Sequence, residues 1–244
     1  MDAPSSALAP VSCIIRTLNE ERMIGAVIKA AQFAVAEVVL IDSGSTDHTI
    51  EIADACGARV VKAPWLGGGK QKRLGEEAAR HYWILDLDAD EIVTPELAAE
   101  IRALFAAGEP EAAIYQLDRA TAPPIGPVWR DFNLVDRRKL YDKRVVRAPD
   151  HANWDQFKVP AGVEVGRLGA PLLHYSFRDL AQLEDKFNRN SSGRARDTEL
   201  KPFALVALGA WRVIASATVT ALVLLVVSVA LFGLDAWREY VSVV

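Results

Sequence analysis

Tyr82, Trp83, Ile84 and Leu85 form an apolar run that passes without a break into Asp86-Leu87-Asp88-Ala89-Asp90-Glu91. A segment this apolar belongs inside a sheet, which leaves the carboxylates at the C-terminal end of a buried strand. In open α/β sheets, ligands sit in the crevice outside those ends. Negative charges so close together repel one another unless a cation lies between them. Hard divalent ions such as Mg2+ take one or two carboxylate oxygens and complete their shell with substrate phosphates. The motif alone reads either as a metal bridge to a diphosphate or as a solvated acidic loop.

The residues before it supply the architecture. Residues 11–17 are apolar and β-rich and predict a strand. Asn19, Glu20 and Glu21 follow as a helix start, with the acids favoured there by the macrodipole. Ile24, Val27, Ile28 and Ala31 then recur at helical spacing. A second strand over residues 37–42 closes in the turn Ser43-Gly44-Ser45, and Asp47 leads a helix with Ile50, Ile52 and Ala53. A third short strand, residues 58–61, runs into Trp65-Leu66-Gly67-Gly68-Gly69, and a helix over 70–79 returns the chain to the acidic strand. Strands and helices that alternate with short connections predict a parallel sheet with helices on its faces.

With 244 residues, 51% of them hydrophobic, the chain can build one α/β domain with residues to spare. A net charge of −4 argues against a nucleic-acid partner, which calls for a basic surface. Cys13 in a strand and Cys56 in a helix suit a reducing compartment and ordinary core positions. Residues 1–10 are small, polar and proline-bearing; they predict a flexible tail and lack the pattern of a secretory signal.

The spare residues are C-terminal. Residues 213–234 form an uncharged run of 22. At about 1.5 Å per residue the run spans roughly 33 Å, against a hydrocarbon core of about 30 Å. Lys186, Arg189, Arg194, Arg196, Lys201 and Arg212 precede it and only Arg238 follows, so the positive-inside rule places the preceding domain in the cytoplasm. A membrane span is expected here; a buried core helix, or a hairpin or in-plane helix with residues 203–211 as one arm, are the other readings. Residues 178–202 are basic and amphipathic. They read as a membrane-proximal helix on anionic lipid or as a helix packed on the sheet.

Four motifs now fall in one order: Thr17-Leu18-Asn19-Glu20, Ile41-Asp42-Ser43-Gly44-Ser45-Thr46-Asp47, Gln71-Lys72 and Asp88-Ala89-Asp90-Glu91. Together they resemble the successive signatures of family 2 glycosyltransferases, strongly over residues 11–100 and more loosely to about 200. Within the family, the Asp88–Glu91 variant, Leu173-His174-Tyr175 and Lys186-Phe187-Asn188-Arg189-Asn190-Ser191 resemble the lipopolysaccharide core β-1,4-glucosyltransferase branch. The resemblance implies a GT-A fold over residues 11–177, Rossmann-like, with a mostly parallel sheet flanked by helices, and a C-terminal membrane helix within 203–244. It also implies an inverting, metal-dependent transfer using Mg2+ or Mn2+ and a nucleotide-sugar donor, UDP-glucose foremost. The implied acceptor is a lipid-linked glycan or lipopolysaccharide core at the inner membrane, with the catalytic domain on the cytoplasmic side. A polyprenyl-phosphate sugar synthase and a non-catalytic tether that binds nucleotide sugar are the alternatives.

Carried onto this chain, the resemblance assigns Glu20 and Asp42 to the nucleoside, where a carboxylate accepts from a base N–H or ribose hydroxyls, with Thr17 lining the same pocket through its backbone. Asp42 also suits a turn, and Glu20 a helix start. Asp90 is implied as a direct metal ligand, Asp88 as a contact to the ribose or to the metal, and His174 as a metal or diphosphate contact or a core histidine. Lys72 is implied at the diphosphate or sugar, and is otherwise a surface lysine. Asp86 shares the Asp88 face by strand alternation and reads as structural, while Glu91 reads as a helix cap or an acceptor-side group. The glycine run reads as a phosphate cradle or a flexible loop. The branch's His-Glu pair is broken in His151-Ala152-Asn153-Trp154-Asp155, which leaves Asp155 as the candidate general base. Arg73 stands where the family usually has asparagine, and Lys139-Leu140-Tyr141 marks a sheet element near sugar or acceptor. Trp129 and Arg130 belong to a proline-rich loop suited to an acceptor lid.

Overall fold

The computed structural model describes residues 7–122, 135–152 and 154–175. All of them lie in the first of two compact units, Met1–Leu183. The chain runs β1 (Ala9–Thr17), α1 (Ile24–Gln32), β2 (Val35–Asp42), α2 (Thr49–Ala55), β3 (Arg59–Lys62), α3 (Gly68–Ala78), β4 (Trp83–Asp88), β5 (Glu91–Val93) and α4 (Pro95–Leu104). It continues through β6 (Ile114–Thr121), β7 (Val135–Asp142), β8 (Val165–Arg167) and β9 (Leu172–His174). The described strands form one sheet in the order β3-β2-β1-β4-β7-β6-β9-β5, with β8 beside β6.

β1, β2, β3 and β4 pair in parallel, as strand–helix alternation requires. Beyond β4 the sheet becomes mixed: β7 runs antiparallel to β4 and β6, and β5 runs antiparallel to β9. Since β2 lies on one side of β1 and β4 on the other, the strand order reverses at β1. A crevice therefore opens between the C-terminal ends of β1 and β4.

Alternation sorts the side chains into two cores. Cys13, Ile15, Leu40, Leu85 and Leu87 pack with Val27 and Ile28 of α1 and Leu97 and Ile101 of α4. Ile14, Val39, Ile41, Ile84 and Tyr141 face the other side with Leu74 and Ala78 of α3. Full burial of one such aliphatic side chain contributes about 1.5–3 kcal/mol, so both layers hold the strand ends firmly. Gly75 lets α3 approach closely, because a Cβ there would lie 3.1 Å from Ile14.

Two local expectations are corrected. Helix α1 begins at Ile24 rather than at Asn19, and Met23 precedes it without a side-chain cap. Asn19 instead takes a left-handed φ of 55°, a conformation that asparagine tolerates better than most residues. Helix α4 is capped by Thr94, whose Oγ1 accepts from Leu97 N at 3.1 Å ahead of Pro95, so Glu91 is not its cap.

Among the described residues no helix is long and apolar enough to cross a membrane. The expected membrane segment, the basic segment 178–202 and the loop carrying Trp129 and Arg130 lie outside the described residues.

Candidate active site

The crevice has two sides. On the first, Thr17 and Asp42 are register partners at the ends of β1 and β2. Asp42 is buried, and its Oδ1 accepts from Gly44 N and Ser45 N, each at 2.9 Å, while Oδ2 accepts from the Ser45 hydroxyl. The aspartate thus builds the turn that follows β2. The loop after β1 is tied to that turn: Asn19 N donates to Ser45 Oγ at 2.9 Å and Glu20 N to Thr49 Oγ1 at 2.8 Å. In return, Thr46 N donates to Asn19 Oδ1 at 2.8 Å. The Asn19 side chain is spent on this crossing, which explains the displaced helix start. Hydrogen bonds thus tie the loop that carries Glu20 to the turn and helix start after β2, next to the paired Thr17 and Asp42.

The second side is built of charge. Arg16 and Asp88 are register partners on adjacent parallel strands, and Arg16 Nη2 lies 2.5 Å from Asp88 Oδ1 and 3.3 Å from Asp155 Oδ2. Lys72, on α3, lies 2.6 Å from Asp86 Oδ2 and 3.1 Å from Asp155 Oδ2. Only 3% of each side chain in the Lys72–Asp86 pair is exposed, so Lys72 is not a surface lysine. Lys139, on β7, donates to Glu91 Oε2 at 2.6 Å and stands 3.8 Å from Asp88 Oδ2. Glu91 also accepts from Asp88 N at 2.8 Å, so it pins the turn that presents Asp88 and Asp90.

These pairings set the protonation states. Burial opposes charge on Asp88, yet Lys139, Arg16 and Lys72 hold its carboxyl well below the usual range. Burial likewise opposes charge on Asp155, and Lys72 and Arg16 again win, holding it low. Burial raises Glu91, with Asp88 adding to the rise against Lys139. Burial would lower Lys139, but Glu91, Asp88 and Asp86 raise it above its ordinary value.

Asp90 lies between the two motifs that name it. β5 and β9 pair with Glu91 opposite His174, Tyr175 N donates to Asp90 O at 2.8 Å, and His174 Nε2 stands 3.3 Å from Asp90 Oδ2. The structure thus brings two of the three sequence-implied metal ligands together, while Asp88 turns to Arg16. Among the described residues no group of three His, Cys, Asp or Glu side chains is gathered around one metal position. A carboxylate oxygen beside an imidazole nitrogen, with 19% and 11% of the side chains exposed, still fits a divalent cation whose remaining positions go to diphosphate oxygens.

The glycine run is neither a phosphate cradle nor a flexible loop. Gly68 N donates to Ala152 O at 2.7 Å and Gly69 N to His151 O at 3.1 Å, so neither amide is left for an anion. A Cβ on Gly69 would lie 2.2 Å from Pro149 O, and one on Gly67 would lie 2.3 Å from the Ala152 backbone. The glycines let the segment 149–155 lie directly on the start of α3. Buried Glu76 holds the same segment upstream, accepting from Ala148 N at 2.7 Å, Tyr141 OH at 2.9 Å and Arg147 Nε at 2.9 Å. Arg73 donates to Ala148 O, which gives the departure from the usual asparagine a use. The whole arrangement delivers Asp155 to Arg16 and Lys72. Beside it lies a groove of about 360 Å3 lined by Trp154, Gln156, Phe157, Lys158 and Arg147 among others.

Arg16 and Glu76 escaped the sequence reading. Arg16 looks like any residue near a strand end, and its one local signal is a cation in an otherwise apolar run. Glu76 reads as a helix-surface acid until Tyr141 and Arg147 arrive from more than 60 residues away.

The model of the family described as "Glycosyl transferase family 2" matches residues 12–160. An uncharacterized glycosyltransferase of Rickettsia felis is 32% identical over 77% of this chain and 69% of its own length. The lipopolysaccharide core biosynthesis glycosyltransferase LpsC of Rhizobium meliloti is 33% identical over 54% of this chain and 49% of its own. Among solved structures, a glucosyl-3-phosphoglycerate synthase from Mycobacterium tuberculosis, in complex with Mn2+, UDP and phosphoglyceric acid, is 28% identical, with a TM-score of 0.36 over 46% of this chain and 43% of that one.

Proposed function

The chain belongs to glycosyl transferase family 2, and on that premise we propose that it moves a hexose from a nucleotide sugar to a lipid-linked glycan or lipopolysaccharide core, inverting the anomeric centre. The observation that carries the proposal is the meeting of Thr17, Asp42, Arg16 and Asp88 at adjoining strand ends, with Asp90 against His174 one turn away. UDP-glucose is the favoured donor through the branch resemblance, and similarity to LpsC supports the lipopolysaccharide core as acceptor. The uncharged run 213–234 and the cations before it support attachment to the inner membrane with the catalytic domain on the cytoplasmic side.

In this reading Thr17, Glu20 and Asp42 line the nucleoside wall, preset by the turn that Asp42 itself organises. Asp90 and His174, joined by Asp88 from the same turn, would hold Mg2+ or Mn2+, which as a Lewis acid would neutralise charge on the departing diphosphate. Glu91 and Lys139 fix the turn carrying Asp88 and Asp90. Asp155 is the carboxylate nearest the expected base position, and the Trp154 groove offers an aromatic face and the cation of Lys158 to the acceptor.

One observation favours a second reading. Asp155 is held low by Lys72 and Arg16, and a carboxylate so stabilised is a weak base. An acceptor that is already anionic, such as a polyprenyl phosphate, needs no strong base.

Purified protein in detergent, offered UDP-, GDP- and dTDP-sugars with Mg2+ or Mn2+ and membrane lipid extract, tests both readings. Metal-dependent release of nucleotide from one donor, abolished by EDTA and by Asp90→Ala, is expected. Labelled product on lipopolysaccharide supports the first acceptor, and product on polyprenyl phosphate the second. No release from any donor by folded protein would overturn the proposal.

A further inference from the structure

Asp88 is expected to face a metal, yet in this structure it faces a guanidinium. Arg16 Nη2 contacts Asp88 Oδ1 at 2.5 Å and Asp155 Oδ2 at 3.3 Å, and its Nη1 donates to Gly68 O at 3.4 Å. The arginine side chain is 14% exposed and its Nε, which is buried, has no partner. Its charge cannot be discharged, since a guanidinium stays protonated in proteins. A divalent ion and Arg16 cannot share Asp88 without placing like charges together in a poorly solvated site.

We propose that Arg16 is an internal competitor for the metal: it occupies Asp88 in the donor-free protein, so that the divalent cation binds well only together with the donor's diphosphate. The inference rests on the metal reading above. A diphosphate brings the anionic oxygens that a displaced guanidinium requires, and Arg is well suited to pair with them. Metal and nucleotide are then thermodynamically coupled, and each raises the affinity for the other by the same factor. Arg16 is thereby a residue that sets the order of assembly, separate from the groups that hold the nucleoside. Asp155, the second anchor of Arg16, keeps Lys72 as its cation at 3.1 Å when Arg16 moves.

The test is Mn2+ binding by the full-length protein in detergent, followed by the electron paramagnetic resonance signal of free Mn2+, with and without saturating UDP. The wild-type protein should bind Mn2+ weakly alone and about 10-fold or more tightly with UDP. Arg16→Met should bind Mn2+ about 10-fold more tightly than the wild type when UDP is absent, and should lose most of the coupling. Adding Asp88→Asn to Arg16→Met should remove the gain. Arg16→Gln, which keeps a donor for Asp88 and Gly68 O, serves in the same way if the methionine variant does not fold. Equal Mn2+ affinity in the wild type and a folded Arg16 variant would overturn the inference and leave the metal site standing. No Mn2+ binding by any variant, with or without UDP, would overturn the metal site and this inference with it.

Discussion

On the β1–β2 side of the crevice, backbone amides and small hydroxyls do the holding: Asp42 with Gly44 and Ser45, Asn19 with Thr46, Thr49 with Glu20. On the β4 side, seven charged groups, Arg16, Lys72, Asp86, Asp88, Glu91, Lys139 and Asp155, hold one another. The first side is held by short-range hydrogen bonds from backbone amides and hydroxyls, with Asp42 and Asp47 as carboxylate acceptors. The second side consists of charges that can change partners when a polyanion and a cation arrive. On the proposed function, the first wall would recognise the nucleoside and the second would re-pair around the diphosphate and its cation.

If this contrast is right, the largest loss should follow from breaking a sealed pair on the charged side. Lys72→Met leaves Asp86 buried without its cation and should cost about 3–5 kcal/mol, read by urea unfolding, whereas Lys72→Met with Asp86→Leu should recover much of that loss. Next comes the contact that delivers Asp155. A Cβ at Gly69 meets Pro149 O at 2.2 Å, so Gly69→Ala should cost about 1–3 kcal/mol of stability, with turnover falling further as Asp155 shifts. On the β1–β2 side, Ser45→Ala removes the hydroxyl shared by Asp42 and Asn19 N and should cost about 1 kcal/mol.

The gentlest probe is pH. The carboxyls of Asp88 and Asp155 are depressed in the folded protein, so the stability they supply is present above their unfolded values, about pH 4, and is lost as pH falls through the folded ones. Tm should therefore change little from pH 8 to 5 on their account and fall below about pH 4, less steeply in Asp155→Asn. An equally steep fall in that variant would remove Asp155 from the charged wall.

The parallel half of the fold was legible because its signals are local. Apolar strands, helical spacing and short connections placed β1 to β4, and two-residue alternation put Asp86 on the face of Asp88. What the sequence could not convey is distance in the chain. Arg16 and Asp88 are 72 residues apart and Lys139 and Glu91 are 48 apart, so neither pair leaves a periodic trace. The role of the glycine run was hidden for the same reason, since the segment that fills its space comes about 80 residues later. Asn19 misled as a cap because its side chain serves a neighbouring loop instead of its own helix.

The most direct test of the two-wall account is a paired measurement of UDP affinity and turnover in Asp42→Asn and Asp90→Asn. Asp42→Asn should weaken metal-free UDP binding while retaining turnover at saturating donor. Asp90→Asn should bind metal-free UDP as the wild type does and lose about 1,000-fold in kcat, about 4 kcal/mol of the barrier. Wild-type turnover in a folded Asp90→Asn protein would contradict it.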